Sequence, residues 1–269
     1  MLPRFVILHA SAYSPVGLRM PSTHCSGRAM PTLRVNIDKA GSALHLDDEI
    51  RQHGRPMHRV RIKICGLTTE ADVANAVRAG ADALGFVFVQ ASPRYVSPER
   101  ARELVAQVPA FVSTVGLFVN ASAAEMARAV ETSGVGCVQL HGDEPPELGP
   151  TLGLPWVKAL RVGGANDIAA QAARYGQANA LLFDTWDPHR AGGTGQKFDW
   201  SALDALPAGG PMRILAGGLT PDNVADAIRC VRPYAVDVSG GVERAKGLKD
   251  AARMEQFARA VHHVSYSQP

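Results

Sequence analysis

The sequence predicts an α/β protein, a (β/α)8 TIM barrel with a single catalytic domain, on three observations. From residue 59 onward, short apolar segments alternate with amphipathic, alanine-rich segments. The apolar segments are nearly continuous, as in parallel strands that are buried on both faces of a sheet. Eight strand–helix units fit within the domain, and eight units in roughly 200 residues are the expected content of such a barrel.

The predicted strands are VRIKIC (60–65), ALGFVF (83–88), FVSTVGLF (111–118), GCVQLH (136–141), PWVKAL (155–160), ALLFDT (180–185), RILAGG (213–218) and AVDVSG (235–240). Several of the helical segments between them, such as TEADVANAVRAG and SPERARELVAQV, begin with Ser or Thr followed by an acidic residue, which is the composition of a helix N-cap. An open doubly wound sheet is the competing architecture. It would place a Gly-x-Gly-x-x-Gly turn after the first strand, where this chain has CGLTTE.

The N-terminal part of the chain differs in composition from the rest. Residues 58–269 form the predicted barrel, whereas residues 1–57 mix Pro, Ser, His and Arg without a sustained period. We predict that residues 1–57 are a disordered extension or not part of the native domain. A transit peptide and an upstream start codon, with Met57 opening the domain, are the alternatives.

Charge and cysteine usage exclude several classes of protein. The net charge is only +3, and its excess lies in residues 1–57, which argues against nucleic-acid binding. The four cysteines form no CxxC pair and no Cys/His cluster at zinc spacing, so we predict reduced thiols, no metal and a cytoplasmic protein. No apolar stretch approaches the roughly 18 residues that cross a bilayer.

A barrel places its functional groups at the carboxyl ends of the strands. Strand 1 ends at Cys65, and strand 6 ends at Asp184. A lone cysteine is commonly a small buried apolar residue, but this one stands at a strand mouth, and Lys63 on the same face could lower its pKa. A carboxylate that closes an apolar strand must reach solvent, a partner or a ligand. Both residues are therefore candidates for catalysis, and the alternative for Asp184 is that it only caps the loop that follows.

Further polar residues close the other strands and are candidates for substrate binding. Arg94 follows strand 2, where it could bind a carboxylate through two hydrogen bonds, and Gln139 and His141 close strand 4. The loops after strands 7 and 8 are glycine-rich, which lets backbone amides approach a phosphate. The candidates in these two loops are Gly217, Gly218, Asp237, Ser239, Gly240 and Gly241.

A thiol and a carboxylic acid on separated strands can act on opposite sides of a small substrate, one as base and the other as acid. The sequence contains no nucleotide-binding loop, and no lysine stands out as a Schiff-base former. The residues alone therefore indicate cofactor-free proton transfer on a sugar phosphate. The loop TWDPHRAGGTGQKFDW (185–200), which contains His189, is long and glycine-rich and could act as a lid.

Residues 60–263 resemble phosphoribosylanthranilate isomerase of tryptophan biosynthesis. The resemblance is carried by the motifs KICGLT (63–68), GADALGFVF with SPRYVSPE (80–99), VGLFVN (115–120), VQLHGDE (138–144), LLFDT (181–185), GGTGQKFDW (192–200), LAGGLTPDNV (215–224) and VRPYAVDVSGGVE (231–243). Residues 1–57 have no counterpart in it. The chain departs from the family's common DVSSGVE motif at Gly240, where a serine hydroxyl would be lost but an amide site would remain.

The resemblance implies a role for each matching position. Cys65 is the implied general base, Asp184 the general acid, and Arg94 the contact for the anthranilate carboxylate. The loops around Gly217 and Ser239 are the implied phosphate site. The implied reaction is an Amadori rearrangement of a small-molecule substrate that needs no cofactor, in a monomer or a homodimer.

Two alternatives remain at this point. The aminoaldose isomerase of histidine biosynthesis is a similar sugar-phosphate barrel, but it uses a pair of aspartates where this chain has Cys65 and Asp184. A non-catalytic phosphate-binding barrel with a regulatory role would bind substrate analogues without turning them over. A panel of substrates separates these alternatives from the isomerase.

Overall fold

The computed structural model describes residues 59–163, 167–185, 199–207 and 209–264. The predicted extension at residues 1–57, most of the predicted lid and His189 within it lie outside the described residues. None of the helices in the described ranges has both the length and the apolar character of a membrane-spanning helix.

Eight parallel strands form a closed barrel in which each strand pairs with the next along the chain and β8 pairs with β1. They are β1 (Arg61–Cys65), β2 (Ala83–Val87), β3 (Ser113–Phe118), β4 (Cys137–Leu140), β5 (Trp156–Val162), β6 (Ala180–Thr185), β7 (Met212–Leu215) and β8 (Ala235–Val238). Closure is visible at Lys63, whose Cα is in register with Ala83 on β2 and with Asp237 on β8. The predicted barrel is therefore confirmed, and the open-sheet alternative is wrong.

Helices cover the outside of the barrel. The α-helices are α1 (Glu70–Arg78), α2 (Pro98–Val105), α3 (Ala123–Ser133), α4 (Leu148–Thr151), α5 (Ile168–Arg174), α6 (Val224–Val231) and α7 (Ala251–His262). Thr69 and Ser122 begin α1 and α3 through capping boxes with the acidic residue three positions on, as the composition predicts. Between β6 and β7 the described helix is a short 3-10 turn, Trp200–Ala205.

A short hairpin after β8 was not predicted. A 3-10 turn, Gly240–Val242, leads from β8 into β9 (Glu243–Ala245), which pairs antiparallel with β10 (Leu248–Lys249). Gly247 in its turn has φ +81°, and a Cβ there would lie 2.6 Å from the carbonyl oxygen of Pro93. Only glycine fits this position, so the hairpin packs directly on the loop after β2.

The apolar core has two layers. The outer layer lies between the strands and the helices, and its fully buried members include Phe86, Phe183 and Phe257. The inner layer fills the barrel with smaller side chains from β5 to β8, namely Val157, Ala159, Ala180, Leu182, Ile214, Ala216 and Ala235. Because side chains alternate along a strand, the next inward residues toward the carboxyl end of β6 and β8 are Asp184 and Asp237. The inner layer thus ends in polar groups at one opening of the barrel.

Candidate active site

Cys65 lies at the carboxyl end of β1 with its side chain on the inner face of the barrel. The residue is buried, and its Sγ faces Gly85 on the neighbouring strand β2. A Cβ at Gly85 would lie 2.7 Å from this sulfur, so glycine at this position leaves the space that the thiol occupies. The strand-end position predicted for Cys65 is therefore observed.

A buried ion pair lies directly below the thiol. Lys63, two residues before Cys65 on β1, donates to Asp237 Oδ1 of β8 at 2.8 Å, and both side chains are almost fully buried. Burial alone would lower the pKa of Lys63, but the Asp237 carboxylate raises it above its ordinary value. Lys63 therefore carries a positive charge beside Cys65.

The environment of Cys65 contains opposing influences on its ionisation. Burial raises the pKa of the thiol, Lys63 and Lys249 lower it, and Asp237 adds to the increase. The net direction is upward. The prediction that Lys63 lowers the thiol pKa is right in sign, but burial outweighs it.

Arg94 lies next to the thiol but is already paired. Its Nε and Nη2 donate to the two carboxylate oxygens of Glu243 at 2.7 and 2.8 Å. A Cβ at Gly66 would lie 2.5 Å from Arg94 Cδ, so the arginine stem runs across the residue after Cys65. The fork geometry leaves Nη1 without a hydrogen bond among the described residues. Arg94 thus has a fixed orientation and a free donor edge.

Glu243 and Lys249, on the hairpin after β8, complete this cluster and were missed by sequence reasoning. Lys249 donates from Nζ to Glu243 Oε1 at 2.9 Å and to the carbonyl oxygen of Ser239 at 3.0 Å. Ser239 Oγ in turn donates to the carbonyl oxygen of Cys65 at 3.0 Å. The signal that could have identified them is a glutamate and a lysine shortly after strand 8 in the sequence, because the loops that follow barrel strands carry the functional site.

Asp184 closes β6 and belongs to a second group of polar residues. It is buried, and its Oδ1 accepts from the Thr185 amide at 2.8 Å. Its Oδ2 lies 3.2 Å from His141 Nε2, and His141 Nδ1 lies 2.8 Å from Gln139 Nε2. This chain of contacts runs from β4 to β6 across the inside of the barrel. The structure therefore brings Asp184, His141 and Gln139 together, as their shared inward positions would require.

A buried clamp on the outer side of β4 supports this second group. Glu144 accepts hydrogen bonds from the amides of Asn120 and Gly142 and from Lys158 Nζ on β5, at 2.9, 3.0 and 2.7 Å. Burial opposes ionisation of Glu144, but its bond to Lys158 and the Lys158 charge hold its pKa below the ordinary value. The clamp fixes the turn that starts at His141.

The loops after β7 and β8 form one continuous rim. Gly217 and Gly218 have positive φ, +78° and +64°. Asn223 cross-links the first loop, because its Oδ1 accepts from the Thr220 amide and its Nδ2 donates to the Gly218 carbonyl, both at 2.9 Å. A Cβ at Gly241 would overlap the Leu219 carbonyl oxygen, so the second loop packs tightly on the first.

The predicted site residues therefore fall into three places. The structure gathers Cys65, Arg94, Asp237 and Ser239 on one side of the mouth and Asp184, Gln139 and His141 on the other, with Gly217, Gly218, Gly240 and Gly241 along the rim. Within the described part of the chain, no group of three or more His, Cys, Asp or Glu side chains is arranged to hold a metal ion.

The chain is similar to known proteins of one family. A family model described as N-(5'-phosphoribosyl)anthranilate (PRA) isomerase matches residues 62–260. The chain is 54% identical over 205 residues to the N-(5'-phosphoribosyl)anthranilate isomerase of Stutzerimonas stutzeri, covering 76% of this chain and 98% of the relative. It is 48% identical over 220 residues to the enzyme of that name from Ralstonia nicotianae, covering 78% of this chain and 95% of the relative.

Solved structures with similar folds carry the same name. The crystal structure of phosphoribosyl anthranilate isomerase from Thermotoga maritima superposes with a TM-score of 0.69 at 39% identity, over 75% of this chain and 98% of that one. A crystal structure of such an isomerase in complex with reduced 1-(o-carboxyphenylamino)-1-deoxyribulose 5-phosphate superposes with a TM-score of 0.66 at 38% identity, over the same shares. The resemblance found in the sequence motifs is confirmed, and the chain belongs to the N-(5'-phosphoribosyl)anthranilate isomerase family.

Proposed function

We propose that the mouth of the barrel converts N-(5'-phosphoribosyl)anthranilate into 1-(o-carboxyphenylamino)-1-deoxyribulose 5-phosphate, a step of tryptophan biosynthesis. The reaction is an Amadori rearrangement, in which an aldose amine becomes a ketose amine by proton transfer alone. Substrate and product are isomers, so atoms and electrons balance without a co-reactant. The chain's own residues must supply one acid, one base and a site for two anionic groups.

Asp184 acts as the general acid. In its protonated form it donates to the furanose ring oxygen, the C1′–O bond of the ring breaks, and C1′ becomes a Schiff base with the anthranilate nitrogen. Its position supports this role, because the Thr185 amide holds Oδ1 and leaves Oδ2 facing His141 at the barrel mouth.

Cys65 acts as the general base. Its thiolate removes the C2′ proton, and the bonding electrons move into the C1′–nitrogen iminium, which gives an enolamine that tautomerises to the product ketone. The iminium of the substrate is therefore the electron acceptor, and we propose that no metal or cofactor takes part. Lys63 and Lys249 offset part of the burial that opposes ionisation of Cys65.

The two anionic ends of the substrate meet two different kinds of donor. Arg94 offers its Nη1 edge to the anthranilate carboxylate while Glu243 holds the other edge. The loops around Gly217, Gly218, Ser239, Gly240 and Gly241 present backbone amides to the phosphate. A site made of amides tolerates glycine at position 240, where many family members have serine. Direct substrate contacts from His141 and Asp237 are further parts of this proposal.

The remaining proposals concern the location, the assembly and the N-terminal residues of the protein. We propose a cytoplasmic enzyme that acts on a small molecule, either as a monomer or as a homodimer. Residues 1–57 are proposed to be dispensable for catalysis. The separate test for this point is the activity of a version that starts at Met57.

One observation carries the proposal: a thiol and a carboxyl group close β1 and β6 on the inner face of the same end of one barrel. The test is rescue of a tryptophan auxotroph that lacks this isomerase, with full-length, Met57-start and Cys65→Ala versions. We expect rescue by the first two and none by the third. Purified protein should turn over phosphoribosylanthranilate but not the aminoaldose of histidine biosynthesis. Tight binding of substrate analogues without turnover would contradict the enzymatic assignment and support a regulatory barrel.

A further inference from the structure

The buried amide of Gln139 contains a polar atom that the proposed mechanism does not use. Gln139 is almost fully buried on the inner face of β4, and its Oε1 has no hydrogen-bond partner among the described residues. Its Nε2 lies 2.8 Å from His141 Nδ1. A carboxamide is one of the few side chains that can donate or accept from the same place by turning half a revolution. Turning the amide by half a revolution would exchange Nε2 and Oε1 in front of His141, so two hydrogen-bond patterns are available there.

The heavy-atom distances fit two complementary patterns. In the first, the Gln139 NH2 donates to His141 Nδ1, and the proton on His141 Nε2 is donated to an ionised Asp184. In the second, Asp184 is protonated and donates to His141 Nε2, and the ring proton sits on Nδ1 and is donated to Gln139 Oε1. Each pattern uses one ring proton and one amide orientation. In a neutral ring, the position of the histidine proton therefore changes with the protonation of Asp184.

We propose that Gln139 is a positioning residue that acts through His141 on the acid Asp184, by supporting both tautomers of the histidine ring. This inference rests on the proposed function, because it takes Asp184 as the group that loses a proton during turnover. When Asp184 gives its proton to the substrate, His141 keeps a single proton, which moves from Nδ1 to Nε2 by exchange with water at the mouth. Gln139 turns when this proton moves. In both protonation states of Asp184, each hydrogen bond along Gln139, His141 and Asp184 then has one donor and one acceptor.

The anchoring of Asp184 makes this inference testable. Its Oδ1 accepts from the Thr185 amide, so only Oδ2 faces His141. In Asp184→Asn the carboxamide oxygen keeps the Thr185 bond, and the NH2 group points at His141 Nε2. Asparagine at this position therefore imitates the protonated acid permanently. His141 then has to accept at Nε2 and carry its proton on Nδ1.

The experiment measures the His141 tautomer in full-length protein without substrate. Two-bond 1H–15N correlation spectra distinguish a proton on Nδ1 from one on Nε2, and the His141→Asn variant identifies the signal. We expect the Nε2–H form in the native protein and the Nδ1–H form in Asp184→Asn. In the double variant Asp184→Asn/Gln139→Met, the Nδ1–H form loses its acceptor, and the switch should be largely lost. Gln107→Met, at an exposed position just after α2, is the matched control and should leave the switch intact.

Kinetics give a second readout that a merely structural role would not produce. Gln139→Met should lower kcat by roughly tenfold or more while KM stays within about twofold, because Gln139 is a contact of the acid's partner and not of the substrate. An unchanged tautomer between native protein and Asp184→Asn, or a switch that survives Gln139→Met in full, would overturn the inference. A raised KM with unchanged kcat would instead make Gln139 a substrate contact. Because the spectra need no turnover, a tautomer switch in an inactive protein would count against the proposed function alone.

Discussion

The two sides of the barrel mouth are built from different kinds of interaction. On the base side, Cys65 lies among charges, with the Lys63–Asp237 pair below it and the Glu243–Lys249 pair beside it. On the acid side, the described contacts of Asp184 are a backbone amide and a histidine ring. A thiol that must ionise is helped by nearby cations, so the charged side suits the base, whereas hydrogen bonds on the acid side fix the orientation of the carboxyl group.

The largest effect should come from removing either reacting group. Cys65→Ala and Asp184→Asn should each lower kcat by a factor of about 10²–10⁴, the usual contribution of one general acid or base. Both variants should retain the circular dichroism spectrum of the native protein. Cys230→Ala, at an exposed position of α6, is the control and should be fully active. Near-native turnover by either variant would remove that residue from the mechanism.

The next effect tests the scaffold behind the acid side. Lys158→Met removes one partner of a fully buried ion pair and leaves Glu144 without its cation. Breaking such a pair typically costs about 3–5 kcal/mol of unfolding free energy. Urea unfolding followed by fluorescence measures this loss, with Arg229→Met, which loses an exposed pair on α6, as the control. Equal stabilities of the two variants would mean that the clamp does not hold the turn at His141.

The sequence could predict the barrel and the placement of Cys65 and Asp184 on its inner face because these depend on local pattern. Alternation along β1 and β6 places Cys65 and Asp184 inward, and closure of the barrel brings them to one opening. The same alternation places Lys63 and Asp237 on the inner face of adjacent strands, so their pairing could also have been inferred. Local pattern says nothing, however, about which partner a long side chain reaches.

Arg94 and Glu243 show most clearly that side-chain partners cannot be predicted from local sequence pattern. They are separated by 149 residues, and their contact depends on a hairpin that positions Glu243 over the loop after β2. Three-residue strands such as β9 carry too little alternation to be recognised in a sequence. The balance between burial and nearby charges at Cys65 is likewise a property of the packed barrel, so its raised pKa could not be predicted from the position of Lys63 alone.

Arg94→Ala tests the substrate-facing edge of the base side. The variant loses a charge-assisted hydrogen-bond donor, which is worth roughly 1.5–3 kcal/mol, so KM should rise by about 10–100-fold. The effect on kcat should be smaller, since the contact is to the carboxylate and not to the reacting carbons. Steady-state kinetics on phosphoribosylanthranilate measure both constants. An unchanged KM would show that another group binds the carboxylate.

The smallest predicted effect separates charge from structure on the base side. Lys249 and Lys246 lie on the same hairpin, but Lys249 is buried against Glu243 and Ser239, whereas Lys246 is exposed. Lys249 lowers the pKa of Cys65, so Lys249→Met should raise that pKa further, and less thiolate is present at any pH below it. Each unit of increase lowers the thiolate population, and with it kcat/KM, by about tenfold in that range.

The thiolate of Cys65 can be titrated directly by its ultraviolet absorbance, as the difference between each protein and its Cys65→Ser counterpart. We expect the midpoint to shift upward in Lys249→Met and to stay in place in Lys246→Met. Glu243 keeps Arg94 as a partner in the first variant, so the carboxylate is not left unpaired by the loss of one lysine. If both midpoints coincide with the native one while Lys249→Met is less active, then Lys249 serves to hold the hairpin, and the cations on the base side do not tune the thiol.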